Sequence, residues 1–183
     1  VRAKQFLNKG NLEIKDIGGA GNQIKIKSEA LENSGKFIIL NPIKLKGKSF
    51  KNVGEFFVNA SIVGDKYELV GEKAEDSLSK FTLNTYENFG KFYANSNYQY
   101  TINGLFYNEG SQRYLGKLTI NAYEFYNKLD KIEADKDIKI TTKTRFKNGA
   151  KDGDKTEEKI VEMEILDSTF VSLPRTAGIY QDD

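Results

Sequence analysis

The chain has 183 residues, of which 38% are hydrophobic, 30% charged and 12% aromatic, as is typical of a folded globular domain. It contains no cysteine and no histidine, which excludes disulfides, thiol nucleophiles, Ser-His-Asp triads and the usual zinc sites. The net charge of +2 hides an asymmetry, because residues 1–51 carry eleven Lys or Arg against four acids and residues 151–183 carry four against nine. A basic segment attracts polyanions, so this asymmetry indicates where a partner would bind.

Strict alternation of apolar and polar residues predicts strands in the first part of the chain. The pattern covers residues 23–27 and residues 55–62. Gly64 and Asp65 then separate the second run from residues 66–70, as in a tight two-residue turn. The spacing therefore predicts a hairpin over residues 55–70.

The centre of the chain repeats this arrangement and then changes its period. Residues 98–107 and 113–120 alternate on either side of a turn-forming segment, which predicts a second hairpin. Beyond it, Asn121 is a suitable helix N-cap with Glu124 three residues later, and apolar residues recur at helical spacing. This pattern predicts an amphipathic helix over residues 122–134.

The last elements are a hairpin and a tail. Residues 137–146 and 158–166 alternate around a polar, glycine-containing segment, which predicts a long hairpin over residues 137–166 with one basic and one acidic arm. Residues 167–183 show no period and are expected to extend over the surface. No internal repeat and no linker is recognised, so residues 1–166 are expected to form a single β-rich domain.

Taken together, these elements predict a mainly β fold with antiparallel hairpins and one helix. A Greek-key barrel of the oligonucleotide-binding type is favoured, and an antiparallel sandwich is the alternative. No apolar run approaches the length of a membrane span. The first residues lack the apolar region of a secretory signal, but earlier processing would remove one, so the localisation stays open.

Clustered lysines in the first third form the first candidate site. Lysines on one face of a strand can track a phosphate backbone, because each neutralised phosphate releases a counterion. The alternative is an ordinary solvated strand face. The lysines expected to contact phosphates are Lys25, Lys27, Lys44, Lys46, Lys48 and Lys51.

An aromatic and asparagine-rich segment over residues 86–107 forms the second candidate site. Bases of single-stranded nucleic acid stack on aromatic rings of this kind. Alternation places some of the rings in the core, and similar segments also contact carbohydrates and proteins. The rings from which stacking partners are expected are Phe92, Tyr93, Tyr98, Tyr100 and Tyr107.

The favoured function is non-catalytic binding of single-stranded nucleic acid with low sequence specificity, without a metal or cofactor. The alternative is a structural or assembly protein, such as a virion, tail-tube or surface-fibre subunit, that makes head-to-tail contacts with an acidic neighbouring subunit and forms homo-oligomers. A glycan- or protein-binding module ranks third. An enzyme using paired carboxylates is least favoured, since such a pair needs a cleft that no motif here indicates.

Overall fold

The computed structural model describes residues 1–14, 23–59, 77–128, 131–149, 161–165 and 178–181, the last two segments by their backbone only. Every regular element in these ranges is a β-strand, which confirms the mainly β prediction. Within the same ranges there is no helix of the length and hydrophobicity needed to cross a membrane.

The strands form two sheets, and the chain passes repeatedly from one sheet to the other. Sheet A contains β1 (Arg2–Asn8), β3 (Ile24–Asn33), β5 (Ile43–Asn52), β7 (Leu78–Leu83), β8 (Thr85–Asn88), β10 (Asn97–Asn108), β12 (Leu118–Asn127), β14 (Ile138–Asn148) and β15 (Val161–Ile165). Sheet B contains β2 (Asn11–Ile14), β4 (Lys36–Ile39), β6 (Glu55–Val58), β9 (Lys91–Ala94), β11 (Gln112–Tyr114), β13 (Lys131–Ala134) and β16 (Gly178–Gln181).

The chain passes from sheet A to sheet B and back, so neighbouring strands within a sheet, except β14 and β15, belong to successive passages. These neighbouring strands pair in parallel and nearly in register. Ile24 on β3 lies opposite Ile43 on β5, and Lys36 on β4 lies opposite Glu55 on β6. One passage through both sheets is a coil, and the stack of parallel coils is a β-solenoid, in which each coil contacts mainly its neighbours.

The core lies between the two sheets and is built from aromatic rings stacked coil on coil. Phe50 stacks on Tyr86 with ring centroids 5.2 Å apart, and Tyr86 stacks on Phe106 at 4.5 Å. Phe125 continues the column at 5.3 Å from Phe106. Parallel in-register pairing causes this, because equivalent inward positions of successive coils fall about 4.8 Å apart.

An asparagine at the end of each sheet A passage marks the turn toward sheet B. Up to Asn127, each side-chain amide donates to the Oδ1 of the next asparagine, over 2.7 to 2.9 Å. The ladder consists of Asn8, Asn33, Asn52, Asn88, Asn108, Asn127 and Asn148, at sequence separations of 19 to 36 residues.

A sequence repeat accompanies the ladder. An apolar residue precedes the asparagine by two positions and, in five coils, a glycine follows it by two, before an alternating strand of sheet B. The segments from Phe50 to Val58 and from Tyr86 to Ala94 show the pattern in full. The expectation that the chain contains no internal repeat is therefore wrong.

The topology corrects other expectations too. Apart from β14 with β15, the described strands pair in parallel and do not form antiparallel hairpins, so both the oligonucleotide-binding barrel and the antiparallel sandwich are wrong. The hairpin over residues 98–120 is wrong, since β10 and β12 pair in parallel and β11 lies in sheet B. The helix over residues 122–134 is also wrong, because β12 and β13 occupy that stretch.

Two hairpin expectations have a different outcome. The C-terminal hairpin is confirmed by the antiparallel pairing of β14 with β15, in which Lys139 lies opposite Glu164. For the hairpin over residues 55–70, β6 pairs in parallel with β4 and β9, and residues 60–70 lie outside the described residues. Most of the expected tail also lies outside them, and within it β16 pairs with β13.

Candidate polyanion interface

The outer face of sheet A carries two rows of basic side chains near the first coils. On β3 and β5, inward apolar residues alternate with exposed lysines, and parallel pairing sets the lysines of successive coils side by side. The first cation row is Lys25, Lys44 and Lys80, on β3, β5 and β7. The second cation row is Arg2, Lys27 and Lys46, on β1, β3 and β5. We call the two rows together the cation face.

Several surface lysines outside the cation face have an acidic partner on a neighbouring coil. Examples are Lys91 with Glu55 at 3.4 Å and Lys117 with Asp137 at 2.9 Å. By contrast, no carboxylate among the described residues lies within ion-pair distance of Lys25, Lys27 or Lys44. The same is true of Lys46. Like charges directly opposite each other on a sheet are destabilising, so this arrangement favours an anionic partner.

Grooves lie along both sides of the second cation row. One, of about 340 Å³, separates the two rows and has Ile26 among its lining residues. The other, of about 550 Å³, lies on the opposite side of the second row and is lined in part by Ala3, Ser28 and Gly47. A linear ligand running along the solenoid axis would therefore have cations on both flanks.

The two remaining predicted lysines have other contacts. The ammonium group of Lys48 lies 3.1 Å from the Glu29 carboxylate, in an exposed pair that contributes little to stability. Lys51 lies near the end of β5, with its ammonium group 5.5 Å from the ring centroid of Phe89. Four of the six predicted lysines are thus brought together. Arg2 and Lys80 were missed, although aligning the chain on the asparagine repeat would have placed both on this face.

The predicted aromatic residues do not join the cation face. Phe92, Tyr98 and Tyr100 are at most 1% exposed and belong to the core, so they are not available for stacking bases. Tyr93 is half-buried on sheet B, where its ring packs on Phe57 at 5.4 Å. Tyr107, also half-buried, donates its hydroxyl hydrogen bond to Glu109 over 2.6 Å.

Four tyrosines form a closed cluster in the core. The hydroxyls of Tyr100 and Tyr114 lie 2.6 Å apart, and Tyr114 donates to Gln112 Oε1 over 2.6 Å. The hydroxyls of Tyr86 and Tyr98 have no hydrogen-bond partner among the described residues. Burial raises the pKa of all four phenols above the usual value of 10.0. They therefore stay protonated while the chain is folded at neutral pH.

The fold and this surface define a class, that of β-solenoid proteins with an exposed cationic face. No family model, curated protein or solved structure matches the chain. Among the described residues, no group of three or more His, Cys, Asp or Glu is placed to hold a metal ion.

Proposed function

We propose that this chain is a non-catalytic binding protein for a linear polyanion, with single-stranded nucleic acid as its ligand and the cation face as its binding surface. The observation that carries the proposal is the set of like charges stacked across β1, β3, β5 and β7 without a carboxylate partner among the described residues. Binding would release the counterions of the neutralised phosphates.

A titration with a thymidine oligonucleotide at two salt concentrations tests this proposal. Six cations predict a slope of log affinity against log salt of about −4, or roughly 300-fold weaker binding at about 200 mM than at about 50 mM salt. Replacing Lys25, Lys44 and Lys80 by Gln should halve this slope. Absence of binding at low salt would reject the proposal.

A matched control separates the cation face from total charge. Replacing Lys91, Lys117 and Lys131 by Gln removes the same number of charges from exposed sites that already have acidic partners. This variant should keep nearly the full salt slope, because these lysines lie outside the cation face. Equal losses in the two triple variants would instead indicate a general charge effect.

A second proposal is a structural role, as a rigid subunit in a virion, tail tube or surface fibre. It is supported by the asparagine ladder, which runs unbroken from Asn8 to Asn148, and by the aromatic column beside it. Head-to-tail assembly would follow from contact between the cation face and an acidic neighbouring subunit. Light scattering at rising protein concentration tests this, and a strict monomer at high concentration contradicts it.

A further inference from the structure

The cation face contains no aromatic side chain. The rings on the strands beneath it are Phe50 and Phe81, which are buried in the core, and Phe6, which is half-buried and packs against the core. The described residues that line the two adjoining grooves are basic, small or aliphatic, with one acid, Glu29. A nucleic acid bound to this surface would therefore meet charges, and among the described residues that form it there is no ring on which a base could stack.

The spacing of the charges follows from the sheet. Neighbouring cations within a row are about 4.8 Å apart at the backbone, and the two rows are separated by two residues along a strand, or about 6.6 Å. A flexible phosphate chain in the groove between the rows can alternate between cations on its two sides. Five of the six cations are lysines, whose ammonium groups act as point charges with rotatable donors and demand no fixed geometry.

We infer that the cation face recognises a chain of phosphates by charge and spacing alone, without contact to bases. This inference rests on the proposed function and specifies which part of the ligand the protein contacts, namely the phosphates. Two sources can supply such a chain, the backbone of a nucleic acid and inorganic polyphosphate. Both are ligands of the cation face, and the bases of a bound oligonucleotide point away from the protein.

A competition experiment on the full 183-residue chain tests the inference. A fluorescent thymidine oligonucleotide is displaced by its unlabelled form, by an abasic oligonucleotide of the same length, and by inorganic polyphosphate of matched total charge. Charge-only recognition predicts that the three competitors agree within about threefold, since none gains from stacking. Stacked bases would make the abasic competitor weaker by roughly fivefold or more per base, which would overturn the inference.

Direct calorimetric titration with polyphosphate distinguishes the inference from the proposed function. If the oligonucleotide binds and polyphosphate does not, the inference fails and the proposed function stands. If polyphosphate binds and the oligonucleotide does not, phosphate-chain recognition stands and nucleic acid is rejected as the ligand. If neither binds, both fail.

Charge-conserving variants provide an independent readout. Replacing Lys25, Lys44 and Lys80 by Arg retains every charge, and polyphosphate affinity should remain within about threefold of the parent protein. The corresponding Gln variant should lose at least tenfold at low salt. An equal loss in both variants would contradict recognition by charge alone. Thermal unfolding of each variant checks that the fold is intact, and the competition with the parent protein needs no variant.

Discussion

The side chain of Asn52 links three successive coils at the turn that leaves sheet A. Its Oδ1 accepts a hydrogen bond from Asn33, and its Nδ2 donates to Asn88 Oδ1, each over 2.8 Å. Nδ2 also lies 3.0 Å from the carbonyl oxygen of Lys91. Because Asn52 is fully buried, water cannot replace these partners. Only an amide combines a donor and an acceptor in this space, whereas a carboxylate would place a charge there without the donor.

Removal of this amide should destabilise the whole stack. We expect Asn52→Ala to lower the free energy of unfolding by about 3 kcal/mol, because it leaves buried hydrogen-bonding groups of neighbouring coils unsatisfied. Asn103→Ala is the control, since Asn103 is exposed on β10, and it should change stability by less than about 0.5 kcal/mol. Urea unfolding of the two variants measures both values. Similar losses would show that the ladder contributes nothing beyond an ordinary surface asparagine.

The turns between the sheets bring the backbones of successive coils unusually close. A Cβ built on Gly54 would overlap the carbonyl oxygen of Gly35 in the preceding coil. At Gly10, the equivalent position of the first coil, a Cβ would meet no atom within 4 Å. The same sequence position is therefore sterically restricted inside the stack and open at its first described coil.

This difference provides a matched pair of substitutions. Gly54→Ala should lower the free energy of unfolding by about 3 kcal/mol, because the two coils must separate to admit the methyl group. Gly10→Ala should change it by less than about 1 kcal/mol, since only the conformational freedom of the unfolded chain is affected. Chemical denaturation of the two variants side by side gives the comparison. A Gly54→Ala variant as stable as Gly10→Ala would contradict the close approach.

The sequence predicts strands well here and their partners poorly. The period of two at residues 23–27 correctly indicates that Ile24 and Ile26 point inward. Pairing was inferred from glycine-containing turns between consecutive strands, which occur equally in hairpins and between the sheets of a solenoid. The true partners lie about one coil away along the chain, and the distinguishing signal is the recurring asparagine and glycine.

The wrong prediction of a helix over residues 122–134 has a specific physical cause. Near the middle of β12 two consecutive residues, Tyr123 and Glu124, face away from the core, where the pairing register also shifts. The inward residues on either side, Ala122 and Phe125, are therefore three positions apart, which is also the spacing of one face of a helix. A bent strand and an amphipathic helix thus share this pattern over a short window.

The cation face could be predicted only in part from the sequence, because the stacking of the coils decides which residues become neighbours on it. Alternation placed Lys25, Lys27, Lys44 and Lys46 on outer strand faces, as the structure has them. Only the stacking of coils shows that Lys25 and Lys44 form a row with Lys80, since residues 45–79 lie between Lys44 and Lys80 along the chain. The rings available for stacking could not be assigned from the sequence. Where both faces of a strand carry aromatic residues, alternation does not show which face is buried and which is exposed to solvent.

Because of the tyrosine cluster, the stability of the whole molecule should decrease at alkaline pH. Burial raises the pKa of Tyr86, Tyr98, Tyr100 and Tyr114 in the folded chain, and unfolding returns each toward 10.0. Above that value the unfolded chain releases protons that the folded chain retains. The contribution of the cluster to stability is therefore complete below pH 10 and is lost as the pH rises toward the folded-state pKa values.

Each buried phenol that keeps its proton in the folded chain should lower the free energy of unfolding as the pH rises above 10, by at most about 1.4 kcal/mol per pH unit. Urea unfolding across this range measures the slope, and tyrosinate absorbance should rise for these phenols only with unfolding. Tyr98→Phe removes one of the four groups and should reduce the slope by about a quarter. Tyr123→Phe should leave it unchanged, since the side chain of Tyr123 is already exposed to water in the folded chain. A slope that Tyr98→Phe does not alter would show that the cluster opens to solvent without unfolding of the coils around it.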